Sequence, residues 1–185
     1  MKLLSDFIRT LQAKLKVTYE LSSLQVNLPK DLADQIIAWG KENIPDNILH
    51  NDGRDTKGRE DEIHFTIFYG IKSPDPNVLS ALLNDFRPFD VRLGLITGFM
   101  DKPEYDVLKI DIECPEIYQM HYRIRNSIAN ENSFPSYAPH TTVAYLQKNN
   151  IVKWLGCTDF CGKIFRVNEL IFSSSNGNKI PITLN

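Results

Sequence analysis

HFTIFY (64–69) and HTTVAY (140–145) are two versions of one six-residue phrase. Each opens on His, places Thr two residues later, runs through β-branched or apolar residues and closes on Tyr. That composition predicts a strand in both places. Alternate side chains of a strand share a face, so His64, Thr66 and Phe68 are expected on one side and Phe65, Ile67 and Tyr69 on the other. The second copy sorts the same way, with His140, Thr142 and Ala144 against Thr141, Val143 and Tyr145. Each imidazole then has a hydroxyl about 7 Å along its own face. Tyr69 and Tyr145 fall opposite and are expected in the core or against a helix. The chain has four His. His50, at a loop edge, and His121, in a helical stretch, lack the Thr and are expected to be structural.

The flanking segments follow a common order. PKDLADQIIAWGKEN (29–43) has Pro at its start and acids in its first turn, which predicts a helix. HNDGRDTKGREDE (50–62) is polar with two Gly and predicts a loop ahead of the first phrase. PNVLSALLNDF (76–86) predicts a helix. FDVRLGLITGFM (89–100) and YDVLKIDIEC (105–114) predict a hairpin across Asp101–Glu104. CPEIYQMHYRIRNSIANE (114–131) predicts a helix and NSFPSYAP (132–139) a loop ahead of the second phrase. NNIVKWLG (149–156) predicts a short helix or turn. FRVNELIFSSS (165–175) and KIPITLN (179–185) predict two strands around Asn176-Gly177. TYELSSLQVNL (18–28) predicts extended chain. Each phrase therefore follows a helix and a loop, and the meanders point to antiparallel sheets, an α+β fold. Leu4, Phe7, Ile8, Leu11 and Leu15 have helical spacing, so residues 1–16 are expected to add an N-terminal amphipathic helix with a basic polar side, ahead of a single domain over 17–185.

Bulk properties narrow the function classes. The 185 residues are 42% apolar, enough for one compact core. The net charge is −2, without the basic surplus that duplex-DNA binding requires. The odd cysteine count (Cys114, Cys157, Cys161) predicts reduced thiols and a cytoplasmic setting. No stretch approaches the ~18 apolar residues of a membrane span, and residues 1–16 lack the apolar core of a signal peptide.

Two His and two hydroxyls on facing strands suit phosphodiester cleavage. A neutral imidazole takes the proton of the attacking oxygen, and an imidazolium protonates the leaving oxygen. The Thr hydroxyls hold the non-bridging oxygens. No cofactor or metal is required. HFTIFY and HTTVAY, the second preceded by Pro139, resemble the paired His-x-Thr/Ser signatures of the two-histidine phosphoesterase superfamily. That superfamily includes 2′-5′ RNA ligase-like proteins, cyclic phosphodiesterases and phage nucleases that destroy cyclic-oligonucleotide alarm signals (anti-CBASS enzymes). The resemblance covers roughly residues 18–185. It implies a bilobal fold of two pseudo-symmetric antiparallel sheets, one phrase per lobe, and a catalytic set of His64, Thr66, His140 and Thr142. The implied substrate is a nucleotide 2′,3′-cyclic phosphate or a cyclic or linear oligonucleotide. Ligation, the same chemistry reversed, and a non-catalytic nucleotide-binding module are the alternatives. Beside the set, Arg59, in a loop with Arg54 and Lys57, is a candidate contact for an anionic ligand. Tyr137 is a candidate for stacking a base.

Overall fold

The computed structural model describes residues 21–185 apart from 52, 54 and 135. The expected helix over 1–16, the chain at 18–20 and Arg54 lie outside the described residues. Eight strands are described: β1 (Ser22–Asn27), β2 (His64–Ile71), β3 (Phe89–Phe99), β4 (Tyr105–Glu113), β5 (His140–Gln147), β6 (Ile164–Val167), β7 (Glu169–Ser173) and β8 (Lys179–Thr183). Three α-helices accompany them: α1 (Lys30–Asn43), α2 (Asn77–Leu82) and α3 (Pro115–Ser127). The α+β class stands, and each hexapeptide opens a strand.

All eight strands belong to one curled sheet, in the order β6-β3-β4-β5-β2-β1-β7-β8, and every recorded pairing is antiparallel. Two separate sheets were expected; the boundary survives instead as a weak joint. β2 and β5 lie side by side at mid-sheet and share one pair, Phe65 with Thr141. The strand expected over 165–175 is broken at Asn168. Its first part, β6, pairs with β3, and its second part, β7, pairs with β1 and β8. This one segment therefore contributes to both halves of the sheet.

The helices cover the apolar side crosswise. Helix α1 buries Leu32, Ile36 and Gly40, at four-residue spacing, and contacts β5, although it precedes β2 in the chain. Helix α3 buries Ile117, Met120, His121 and Ile124 and contacts β2, although it precedes β5. Between them lie Phe65, Ile67, Phe68, Ala144 and Leu146, all essentially without solvent contact.

The loop ahead of β2 is tied to β5 rather than left to swing over a ligand. His50 N–H donates to the Tyr145 carbonyl at 2.9 Å, Tyr145 N–H to the Gly58 carbonyl at 2.7 Å, and Glu60 N–H to the Val143 carbonyl at 3.1 Å. Gly58 is required there. Its φ is +92°, and a Cβ would lie 2.3 Å from the His50 carbonyl oxygen.

Candidate active site

Strict alternation fails in both hexapeptides, at the same position. Leu24 and Gln25 of β1 face Phe68 and Thr66, so Ile67 is an extra residue on β2. Leu108 and Lys109 of β4 face Ala144 and Thr142, so Val143 is an extra residue on β5. Each is a β-bulge, which turns every later side chain over. Ile67 and Phe68 are both buried, as are Val143 and Ala144. The tyrosines accordingly leave the face on which alternation placed them. Tyr69 is 44% exposed and Tyr145 is half-buried in the site itself. Of the expectation that both lie in the core or against a helix, the core placement is corrected for that reason.

The residues before the bulges keep their expected faces, and the β2–β5 register brings them together. Extending the Phe65–Thr141 pair by one residue each way sets His64 across from Thr142 and Thr66 across from His140. Directly opposed Cβ atoms lie about 5 Å apart and diagonal ones about 7–8 Å. His64 and His140 are the diagonal pair of this register. His64, Thr66, His140 and Thr142 line one cavity of about 170 Å³ with Glu60, Glu62 and Tyr145. Pockets for whole small molecules hold about 300–1,000 Å³. This one is smaller, with room for a small group rather than a whole ligand of that kind.

Both rings are held alike. His64 Nδ1 lies 2.8 Å from the Glu62 carbonyl and His140 Nδ1 2.7 Å from the Ala138 carbonyl, each two residues upstream. A carbonyl oxygen only accepts, so Nδ1 carries the hydrogen and Nε2 is the ring nitrogen left for substrate. Burial is the main cause that lowers the proton affinity of His140 below the usual imidazole range, against the opposing Ala138 hydrogen bond. The Phe99 ring stands edge-on to His140, with centroids 4.8 Å apart.

Arg59 and Tyr137 do not line this cavity. The Arg59 side chain is 16% exposed, and its guanidinium donates to the Gly40 and Ile44 carbonyls and to Asp46 Oδ1, each at 2.6 Å. It holds the C-terminal end of α1 to the loop. Tyr137 donates its hydroxyl to the Thr66 carbonyl at 3.0 Å and stacks on His121 at 3.9 Å. One face of the Tyr137 ring is therefore covered by a protein ring. His121 is 3% exposed and bonds through Nδ1 to the Ile67 carbonyl at 2.8 Å, consistent with its expected structural role. Glu60 and Glu62 were not singled out from the sequence, and Tyr145 was expected away from the site. The carboxylates did leave a signal: at even spacing ahead of His64, they continue its face into the loop.

A family profile described as the 2′-5′ RNA ligase superfamily matches residues 50–177, spanning both hexapeptides. No curated protein matches the chain. Similar solved structures include E. coli LigT in its apo form, at TM-score 0.62 and 16% identity over 90% of this chain and 95% of that one. E. coli LigT complexed with 3′-AMP gives 0.59 and 17% over 90% and 95%. Kluyveromyces marxianus Usb1 with uridine monophosphate gives 0.53 and 12% over 91% and 100%. At these identities the structural likeness speaks for the fold.

Proposed function

The chain belongs to the 2′-5′ RNA ligase superfamily, and from that premise we propose that it is a metal-independent phosphodiesterase acting on a nucleotide phosphodiester. The observation that carries this is the cavity on which two Nδ1-anchored imidazoles and two threonines converge. His140 is the base, because burial favours its neutral form. Its Nε2 takes the proton from a ribose 2′-hydroxyl or a water. That oxygen attacks phosphorus, and His64 gives its Nε2 proton to the departing oxygen. Thr66 and Thr142 donate to the non-bridging oxygens, where charge grows.

The substrate is a diester, either a 2′,3′-cyclic phosphate or an internal linkage of a cyclic or linear oligonucleotide. Glu60 and Glu62 stand on the cavity wall, and Glu62 is paired with Lys179. The nucleotides in the LigT and Usb1 structures support a nucleotide as ligand. Ligation uses the same two groups with their roles exchanged.

The test is incubation with 2′,3′-cyclic nucleotides, 2′-5′ oligoadenylate and cyclic di- and trinucleotides in EDTA. Turnover of at least one, abolished in His140→Ala, is expected. Turnover that stops on chelation and returns with Mg²⁺, Mn²⁺ or Zn²⁺ would overturn the metal-free chemistry. No turnover of any would overturn the substrate class.

A further inference from the structure

Lys109 is a charged group in a place where charge is costly. Its side chain is 7% exposed. Its neighbours Leu108 and Ile110 face the core, so Lys109 and Asp111 stand on the opposite face of β4, the face that carries the site. In the β4–β5 register Lys109 lies across from Thr142 and Asp111 across from His140. The ammonium donates to Asp111 Oδ1, and to Thr97 Oγ1 at 2.7 Å; Thr97 in turn donates to Asp111 Oδ1 at 2.9 Å. Above it, 4.7 Å from Nζ, is the Phe99 ring that meets His140 edge-on.

We propose that Lys109 is a positioning residue for His140: clamped by Asp111 and Thr97 beneath Phe99, it fixes the imidazole's setting and holds it neutral for the base role. This rests on the assignment of His140 as base. A buried ion pair is weak support for stability, since an apolar side chain of similar volume often serves the fold as well. Its field is another matter. The Asp111 side chain is 40% exposed and partly screened by solvent, whereas Lys109 is not. The two charges therefore fail to cancel at His140, and a positive excess remains. Lys109 and His64 lower the proton affinity of His140, and Asp111 raises it. Glu60 and Glu62, from the segment ahead of β2, line the same cavity, and Glu62 is paired with Lys179.

The experiment is NMR titration of the His140 ring in the wild type, Lys109→Met, Asp111→Asn and Thr97→Val, with kcat/KM against pH for each. In Lys109→Met the His140 midpoint should rise by about half to one pH unit. The acid limb of kcat/KM should follow, a loss of up to about tenfold at pH 6 with little change at pH 8. Asp111→Asn should move the midpoint the opposite way. Thr97→Val, which keeps both charges, should leave it within about 0.2 of the wild type. Opposite movements from the two members of one ion pair are what a merely structural pair would not produce. Movement in the same direction, or none, in folded variants overturns the proposal. If Lys109→Met does not fold, the direction in Asp111→Asn decides alone. The titration needs no substrate, so this proposal and the phosphodiesterase reading fail separately.

Discussion

The strands β2 and β5 carry the same phrase, the same bulge and the same anchor on the histidine, but they are supported by different means. In β2 the bulge carbonyl, Ile67, accepts from the buried side chain of His121, and the Thr66 carbonyl before it accepts from Tyr137. In β5 the bulge carbonyl, Val143, accepts from the backbone N–H of Glu60, in a loop laid against the strand. A bulge leaves a carbonyl outside the regular ladder, and a buried carbonyl needs a donor. One copy draws that donor from a helix, the other from a loop. The parts that touch substrate in the proposed chemistry are repeated, while the parts that hold the strands are free to differ.

The largest expected effect tests the sameness. His64→Ala and His140→Ala should each lower kcat by at least about 10²-fold, and the double variant should be little worse, because acid and base act in one proton-transfer sequence. A bell-shaped kcat/KM profile should accompany the wild type. Loss in one single variant alone would break the equivalence of the two strands. Thr66→Ala and Thr142→Ala should cost less, about tenfold each, since each hydroxyl carries part of the charge stabilisation. A tenfold loss at one threonine beside none at the other would show that the phosphate leans on one strand.

Stability measurements sharpen the difference. Gly58→Ala should destabilise the β5 side by about 2–3 kcal/mol, through its clash and positive φ, and denaturant melts read this directly. His121→Phe should destabilise the β2 side by about 1–2 kcal/mol by leaving the Ile67 carbonyl without its donor. The same variant should change the response to acid. Burial lowers the proton affinity of His121 in the fold, as it does for His140. Below about pH 6.5 the unfolded chain binds protons there that the folded chain refuses, so stability is full above that pH and falls as pH drops through the folded values. Tm followed from pH 8 to pH 5 should decline less steeply in His121→Phe than in the wild type; an equal slope would exclude His121 as a contributor. The smallest effect belongs to Thr141, whose buried hydroxyl makes no hydrogen bond among the described residues. Thr141→Val should be neutral or stabilising by up to about 1 kcal/mol. A clear loss would mean that the hydroxyl has a partner after all.

Much of the fold was legible because its signals are local. Alternation marked β2 and β5, the Pro and acid pattern marked α1, and Asn176-Gly177 marked the final turn. The break at Asn168 was missed although it leaves a faint mark, the consecutive polar pair Asn168-Glu169 that shifts the alternation of FRVNELIF; the two destinations, β3 and β1, divide it plainly. Arg59 and Tyr137 showed the right chemistry for a ligand; in the structure the Gly40 and Ile44 carbonyls and the ring of His121 engage them.

The sequence by itself determined that two His-x-Thr strands exist and that each His shares a face with its Thr, because a period of two is a property of the strand alone. Only the tertiary structure decided the rest of the site. The bulges that turn Tyr145 into the cavity appear when β5 is laid against β4, for an extra residue is defined only relative to a partner. The crosswise seating of α1 and α3, the diagonal of His64 and His140, and the burial of Lys109 beside His140 likewise depend on strands far apart in the chain. Pairing between such strands leaves no mark in either one read alone.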